Sequence, residues 1–597
     1  MRAAFSAVTF AVAALTGASA FAAAAAPPSA SVPAPDRRPN FVVILMDDTA
    51  FTDFDVYGGE ARTPNFDLLA ARGALFTSYH TSPLCSPSRA MLLTGIDNHR
   101  TGVATIPETL PSDQRGKHGY SMFFEPGVDT VAVRLKEAGY RTYMSGKWHL
   151  GHGPGQLPDG HGFDHSLALD ASGADNWQQK PYMPYYATAD WFEDGKPVQL
   201  PENFYSSQLL VDHMIDYLKN DQASGAPFFA YLPFQAVHIP VQAPAEYTAH
   251  YAGVYDGGWD ATRERRWKRA KELGLVPADA ELPAAHENLR KWDAQSAQDK
   301  ALFAKSMAVY SGMIEAADAN VGRLIDYLKQ QGQFENTIFF VTSDNGPEPS
   351  DPIAQTGFST WMSQNGYTRN LEHLGEKGSM NFIGPEWANA ASSPTRLFKF
   401  HSAEGGLRVP LIVSGPGVAQ GRVNSLSFVT DLTPTIYDYA GIDRAKWNGP
   451  VPITGRSLAP VLRHQAERTY GDDAPVGIEV GGNAALFKGD WKLTKVSLPW
   501  GDAQWHLYHL TADPGEIHDL REQEPARYQA MLADYDAYAK SVGVLKLPDD
   551  FNPHTQVTIN ALEKQVEFFR MRLIAAAVVL VLLVVFLLRW RRNRAKS

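Results

Sequence analysis

Cysteine is nearly missing from this 597-residue chain, in which Cys85 stands alone. One thiol cannot form an internal disulfide, so no disulfide framework holds the fold. Excess positive charge is missing as well. The formal net charge of −11 argues against non-specific nucleic-acid binding, although a locally cationic site can still take an anionic substrate. The polar, apolar-poor composition of a disordered chain is also lacking. With 44% hydrophobic and 20% charged residues the sequence is globular, and it is long enough for two domains sharing a large core.

What surrounds the single cysteine is informative. Cys85 opens Cys85-Ser86-Pro87-Ser88-Arg89-Ala90, followed by Met91-Leu92-Leu93-Thr94-Gly95. Pro87 suits the first turn of a helix and the residues from Ala90 propagate one. Cys85 then lies where a loop enters a helix N-terminus, which favours anions and thiolates, and Arg89 shares its helical face. A buried, inert thiol is the alternative, and spacing alone leaves both readings open.

Asn40 to Met46 is a continuous apolar run, as in a strand buried on both faces, and it stops at Asp47-Asp48. Thr337 to Thr342 is a second such run, followed by Ser343-Asp344-Asn345-Gly346. Arg141 to Ser145 leads into Gly146-Lys147-Trp148-His149, and Pro227 to Leu232 leads towards His238. Helical patterns at 131–138, 206–220 and 305–330 lie between them, so the fold is α/β with a largely parallel sheet. Ligands of such sheets bind beyond the carboxyl ends of the strands. One acid after a strand is commonly a turn or cap residue, but two strand ends supply Asp47, Asp48, Asp344 and Asn345 together. Three carboxylates and an amide oxygen suit Ca²⁺ or Mg²⁺ rather than a thiolate-bound metal.

The Cys-x-Pro-Ser-Arg run with its Leu-Thr-Gly resembles the signature of the sulfatases, and matching segments extend from about residue 39 to about residue 543. The overall pattern is similar to bacterial arylsulfatases. The resemblance implies an alkaline-phosphatase-like fold, with a large mixed, mostly parallel sheet flanked by helices and a smaller C-terminal antiparallel α+β domain. It implies that a formylglycine-generating maturation enzyme oxidises Cys85 to Cα-formylglycine, whose hydrate is the nucleophile. It also implies one Ca²⁺ per chain, held by Asp47, Asp48, Asp344, Asn345 and the modified Cys85. Lys147 and His149 fall in a Gly-Lys-Trp-His-Leu-Gly element. His238 matches a second catalytic histidine, and Lys399 a sulfate-binding lysine just before Glu404-Gly405-Gly406-Leu407-Arg408-Val409-Pro410.

On this reading the metal, Arg89, Lys147 and Lys399 surround the sulfuryl oxygens, and Asp344 helps deprotonate the nucleophile. His238 is the general acid and His149 the base that releases sulfate, whereas His401 has no catalytic role. The implied activity is that of a sulfuric ester hydrolase acting on aryl or small alkyl sulfates. A phosphonate or phosphate ester hydrolase of the same superfamily is one alternative. A non-catalytic anchored binding protein, should Cys85 stay unmodified, is the other.

The remaining sequence divides as follows. Residues 1–22 read as a signal peptide, 23–38 as a linker, 39–444 as the catalytic domain, 445–545 as the small domain and 546–567 as a second linker. Residues 568–590 read as a transmembrane anchor, with Phe568, Phe569 and Trp590 at the interfaces, and 591–597 as a basic cytoplasmic tail. This arrangement describes an exported, periplasmic enzyme held to the inner membrane. Residues 351–395, with Phe358, Trp361, Tyr367 and Trp387, read as a long irregular insertion that either shapes the substrate site or packs onto the body. Residues 263–269 read as a solvated basic helix face, and His518 as part of a structural turn.

Overall fold

A computed structural model describes residues 37–443 and 450–594, with side chains through Leu588. The signal peptide, most of the first linker and the side chains of the terminal arginine cluster lie outside the described residues.

Ten strands form one sheet. Its centre is Thr337–Ser343, Asn40–Met46, Phe228–Pro233, Arg141–Lys147 and His165–Leu169, side by side and all parallel. The Asn40–Met46 strand is buried at every position, because helices cover both faces of the sheet. Flanking strands are mostly antiparallel: Leu411–Ser414 pairs with both Thr337–Ser343 and Gly73–Phe76, while Trp191–Glu193 and Lys196–Val198 form a hairpin edge. The sheet is therefore mixed, as expected. Since the central strands are parallel, their carboxyl ends share one rim, and that rim carries Asp47, Lys147 and Asp344.

A second sheet, Val476–Val480, Asn483–Lys488, Trp491–Lys495 and Trp505–His509, is fully antiparallel. The helix Pro525–Val542 covers one face, packing Met531 and Tyr535 against Leu486, Leu493 and Leu507. A buried ion cluster joins this small sheet to the body. Lys492 lies 2.8 Å from Glu404 and 2.7 Å from Glu516, and Glu404 also accepts from His80 at 3.0 Å. These partners hold the Glu404 carboxyl well below the ordinary range against a burial effect that would raise it.

Three expectations change. The basic stretch 263–269 lies on the helix Gly258–Glu272, but it is not simply a solvated face. Arg266 is buried, 2.6 Å from Asp53 and 2.7 Å from Glu60. Arg263 is also buried and donates to the Pro283 carbonyl. The insertion 351–395 contains two helices, Phe358–Gln364 and Gly384–Ala391. Trp387 joins Tyr255, Trp259 and Trp292 in an aromatic cluster of the core, whereas Phe358 and Tyr367 pack with Tyr182 beside the site. Finally, the expected second linker, 546–567, is helical from residue 553 onward and continues within the helix Pro553–Arg594. Asn552 starts it, its side-chain oxygen accepting from the backbone N–H of His554 at 2.9 Å and of Thr555 at 3.2 Å.

Candidate active site and metal centre

The loop before Cys85 is tied down by Ser88, whose hydroxyl accepts from the Ser82 N–H at 3.0 Å and returns a bond to the Ser82 carbonyl at 3.2 Å. Cys85 begins the helix Cys85–Thr94, every residue of which is buried, and Gly95 closes it with a left-handed φ of 70°. At the end of the first strand Asp48 adopts a φ of 65°, a region that aspartate tolerates better than most residues. This turn aims Asp48 beside Asp47 instead of onto the opposite face. The Asp47 backbone exchanges hydrogen bonds with the Ala236 carbonyl at 2.7 Å and the Val237 N–H at 2.6 Å, which fastens the His238 loop to the end of the Asn40–Met46 strand.

All the residues named from the sequence converge here. Ligand atoms of Asp47, Asp48, Cys85 and Asp344 lie within 4.8 Å of one another. Lys147 Nζ is 2.6 Å from Asp47, and Lys399 Nζ is 2.7 Å from Asp48 and 2.8 Å from Glu348. Arg89 donates to Asp344 through Nε at 2.9 Å and Nη2 at 2.7 Å, and to the Lys147 carbonyl through Nη1 at 2.9 Å. It lies behind the carboxylates and fixes Asp344. Lys147 is likewise engaged beneath Asp47, so Lys399 is the cation that reaches the open cavity.

The donor set fits a hard cation. The Asp47 Oδ1 and Asn345 Oδ1 oxygens are buried without a hydrogen-bond partner, and both belong to the predicted ligand set. Asn345 donates its Nδ2 to Asp48 Oδ1 at 2.6 Å and to the Gly346 carbonyl at 2.8 Å, which fixes the amide. Burial, with the charge of Asp344, pushes Asp47 up to about 8, although Lys147 and Arg89 oppose this. Burial also pushes Asp48 up to about 6, against Lys399. A bound divalent cation would relieve this crowding of anions.

A stability prediction follows with a definite sign. Asp47 and Asp48 titrate higher folded than their ordinary 3.8. The folded metal-free protein therefore holds extra protons, and stability present at low pH declines as pH rises from about 4 towards about 8. Ca²⁺ should raise the melting temperature more at pH 8 than at pH 5. Thermal melts with Ca²⁺ and with a chelator test this, and an equal or larger gain at pH 5 would contradict it.

Both histidines face the cavity beside Cys85. His238 Nδ1 lies 2.7 Å from the Ile239 carbonyl, which can only accept, so Nδ1 carries hydrogen and Nε2 is free. His238 Nε2 is 3.8 Å from Asp48 Oδ2, and Tyr182 packs edge-on to the ring at 5.1 Å. Burial and then the charges of Lys147 and Lys399 hold the imidazole well below its ordinary value. His149 is also held neutral by burial, with Glu108 opposing from 3.5 Å. Ser86 donates to the His149 carbonyl at 2.8 Å and so couples that loop to the cysteine helix.

Sequence reasoning missed Glu348, Glu108, Tyr182 and His554, which complete the site. Glu348, three residues after Asn345, stood within reach of the motif. Glu108 accepts from the Tyr186 hydroxyl, and His554 comes from the C-terminal helix, its ring 4.4 Å from that of Phe400. Neither carried a local signal. His401 lies near the same corner, but its Nδ1 points to the Phe398 carbonyl at 3.3 Å and it does not line the cavity.

The comparisons agree with this geometry. Residues 39–442 match the family model for sulfatases. The chain is 36% identical over 537 residues to an uncharacterized sulfatase of Schizosaccharomyces pombe, covering 87% of this chain and 96% of that protein. It is 36% identical over 445 residues to an arylsulfatase of Klebsiella aerogenes, covering 72% and 93% respectively. The crystal structure of Ps i-CgsB in complex with a neocarrahexaose superposes with a TM-score of 0.61 at 22% identity, covering 88% of this chain and 99% of that one, which shows a shared fold. A strand rim of carboxylates around Cys85, a family match across two-thirds of the chain and these relatives lead to one conclusion: the chain belongs to the sulfatase family and is a sulfuric ester hydrolase.

Proposed function

We propose that the enzyme hydrolyses sulfate monoesters of apolar alcohols, aryl sulfates foremost. The observation that carries this reading is a cavity of about 440 Å³ with a polar floor and apolar walls. Cys85, His149, His238 and Lys399 form the floor, and Tyr182, Phe358, Trp361 and Phe400 are among the walls. A sulfate group fits the floor beside Lys399, and an aromatic alcohol fits the walls.

Formylglycine formed from Cys85 would supply the nucleophile, and Ca²⁺ held by Asp47, Asp48, Asp344 and Asn345 would supply charge opposing that of the sulfuryl oxygens. Lys399 binds the sulfate. Although burial opposes it, Asp48 and Glu348 hold its ammonium well above the ordinary range, so it stays charged. Lys147 and Arg89 act one layer below, fixing Asp47 and Asp344 in orientation. The Ile239 carbonyl turns His238 Nε2 towards the cavity. A sulfate anion beside Nε2 favours the protonated ring, and that proton passes to the leaving oxygen. His149, held below its ordinary value by burial, is the proton acceptor.

His238→Gln should therefore divide substrates by leaving group. Turnover of an alkyl sulfate falls by about 10²–10⁴-fold, and that of 4-nitrophenyl sulfate far less, because nitrophenolate leaves without a proton. Equal losses for both would place the general acid elsewhere. The activity itself is tested by comparing 4-nitrophenyl sulfate with 4-nitrophenyl phosphate in Ca²⁺. Preference for the phosphate would replace this reading with that of a phosphate ester hydrolase.

The same proposal places the body outside the cytoplasm, exported by residues 1–22, anchored through 568–590 and ending in a cytoplasmic tail at 591–597. Its support is the C-terminal helix, which is long and apolar enough to cross a membrane, with a mean hydropathy of 3.0 in its apolar window.

A further inference from the structure

One wall of the catalytic cavity is built by the C-terminal helix itself, through His554, Val557, Thr558, Ala561, Leu562 and Gln565. Their spacing of three and four residues puts them on one face. The helix is fixed to the body at this level. Asn560 is buried and donates to the carbonyls of Glu108 at 2.9 Å and Leu110 at 3.0 Å, while Arg115 donates to Asn560 at 2.7 Å and Glu563 at 2.8 Å. Gln565 donates to the Pro184 carbonyl.

The helix then continues unbroken from this wall into the exposed apolar run Leu573 to Leu588. At 1.5 Å per residue, Gln565 lies roughly 12 Å along the axis from Leu573. That is about the depth of one bilayer interface plus a helical turn. Arg570 and Arg572 fall between, where phosphate headgroups would sit. Towards the bilayer the cavity wall passes from the half-buried Val557 and Ala561 to Leu562, which is 62% exposed.

Resting on the sulfatase reading above, we propose that the substrate is an amphiphilic sulfate ester resident in the membrane surface. Its sulfate sits over Cys85, and its apolar alcohol lies along the Val557–Ala561–Leu562 face towards the lipid. The anchor helix is thus part of the binding site, and its exposed Leu562 end faces the bilayer, roughly 16 Å along the axis from Leu573, so an ester rising out of the interface meets this apolar wall first.

The test uses the full-length protein, with conversion of Cys85 confirmed by mass, in phosphatidylcholine vesicles. The probes are 4-alkylphenyl sulfates from methyl to octyl, whose leaving groups differ little in basicity. For the wild type, kcat/KM should climb by up to about fourfold per added methylene until the wall is covered. Leu562→Asp should lower the octyl-to-methyl ratio at least about tenfold. Partitioning into the vesicle is common to both proteins, so the difference between their ratios reads the helix wall. A flat series with brisk turnover of the methyl compound overturns this proposal alone. A steep series unchanged by Leu562→Asp also overturns it, since partitioning would then be the whole effect. Absence of turnover for every member overturns the catalytic reading and this one with it.

Discussion

Cys85→Ala should abolish sulfate-ester turnover, with a loss of about 10⁴-fold or more, while the protein still folds. Two observations support the size of this effect. The thiol lies at the floor of the cavity, within 4.8 Å of ligand oxygens of three aspartates, where the proposed nucleophile stands. Burial also pushes the Cys85 thiol well above its ordinary value, despite the opposing charges of Lys147 and Lys399. An unmodified cysteine here stays protonated and is a poor nucleophile, which is why the proposed mechanism requires its conversion. The stability loss should be only about 1 kcal/mol, since one sulfur leaves a small cavity. Cys85→Ser should also abolish turnover or trap a sulfated serine, because an ordinary alcohol lacks the hydrate's route for expelling sulfate. The decisive measurement is the mass of the tryptic peptide Gly73–Arg89 from protein made in its own host. A thiol converted to aldehyde supports the mechanism. An unmodified thiol in active material would end it, and in inactive material would favour a binding protein.

Asp344→Ala should be the most damaging change to stability among the site residues, at about 3–5 kcal/mol. Arg89 is completely buried and makes two of its three close hydrogen bonds to Asp344. Removal of that carboxylate leaves the guanidinium with Asp47 at 3.5 Å, an anion already bound to Lys147. The destabilisation comes from a stranded cation, so Arg89→Leu introduced into Asp344→Ala should recover part of it. Asp344→Asn, which retains an acceptor, should cost less. Urea unfolding of these variants, of the wild type and of Arg89→Leu alone measures this coupling. A loss below about 1 kcal/mol for Asp344→Ala would mean that Arg89 finds another partner or water. Activity should vanish in every variant, because Asp344 is also a predicted metal ligand.

The strand ends were the most legible part of the chain. Asn40–Met46 was evident as a buried strand because an unbroken apolar run ending in two acids has few other readings, and its position beside Thr337–Ser343 brings the two acidic pairs together. The cysteine motif was equally plain. Arg89 illustrates what spacing cannot tell: its place on the Cys85 face was readable, but its commitment to Asp344 depends on a strand 255 residues away. Arg266 is similar, since nothing local distinguishes it from its solvated neighbours on the same helix. His554 was the least legible. The segment before the apolar run has the composition of a connector, and only its docking through Asn560 puts it in the cavity wall.

The buried Glu404–Lys492–Glu516 cluster has a consequence for how the molecule comes apart. Glu404 belongs to the segment that follows Lys399, whereas Lys492 and Glu516 belong to the small C-terminal unit. Separation of the two units would expose apolar surface and break the buried Lys492–Glu404 contact, leaving Lys492 with Glu516 alone and Glu404 with His80 alone. The small unit thus acts as a keystone for the segment that carries Lys399 rather than as an appended module. Heating should dismantle both sheets in one cooperative step, and loss of catalysis should coincide with that step.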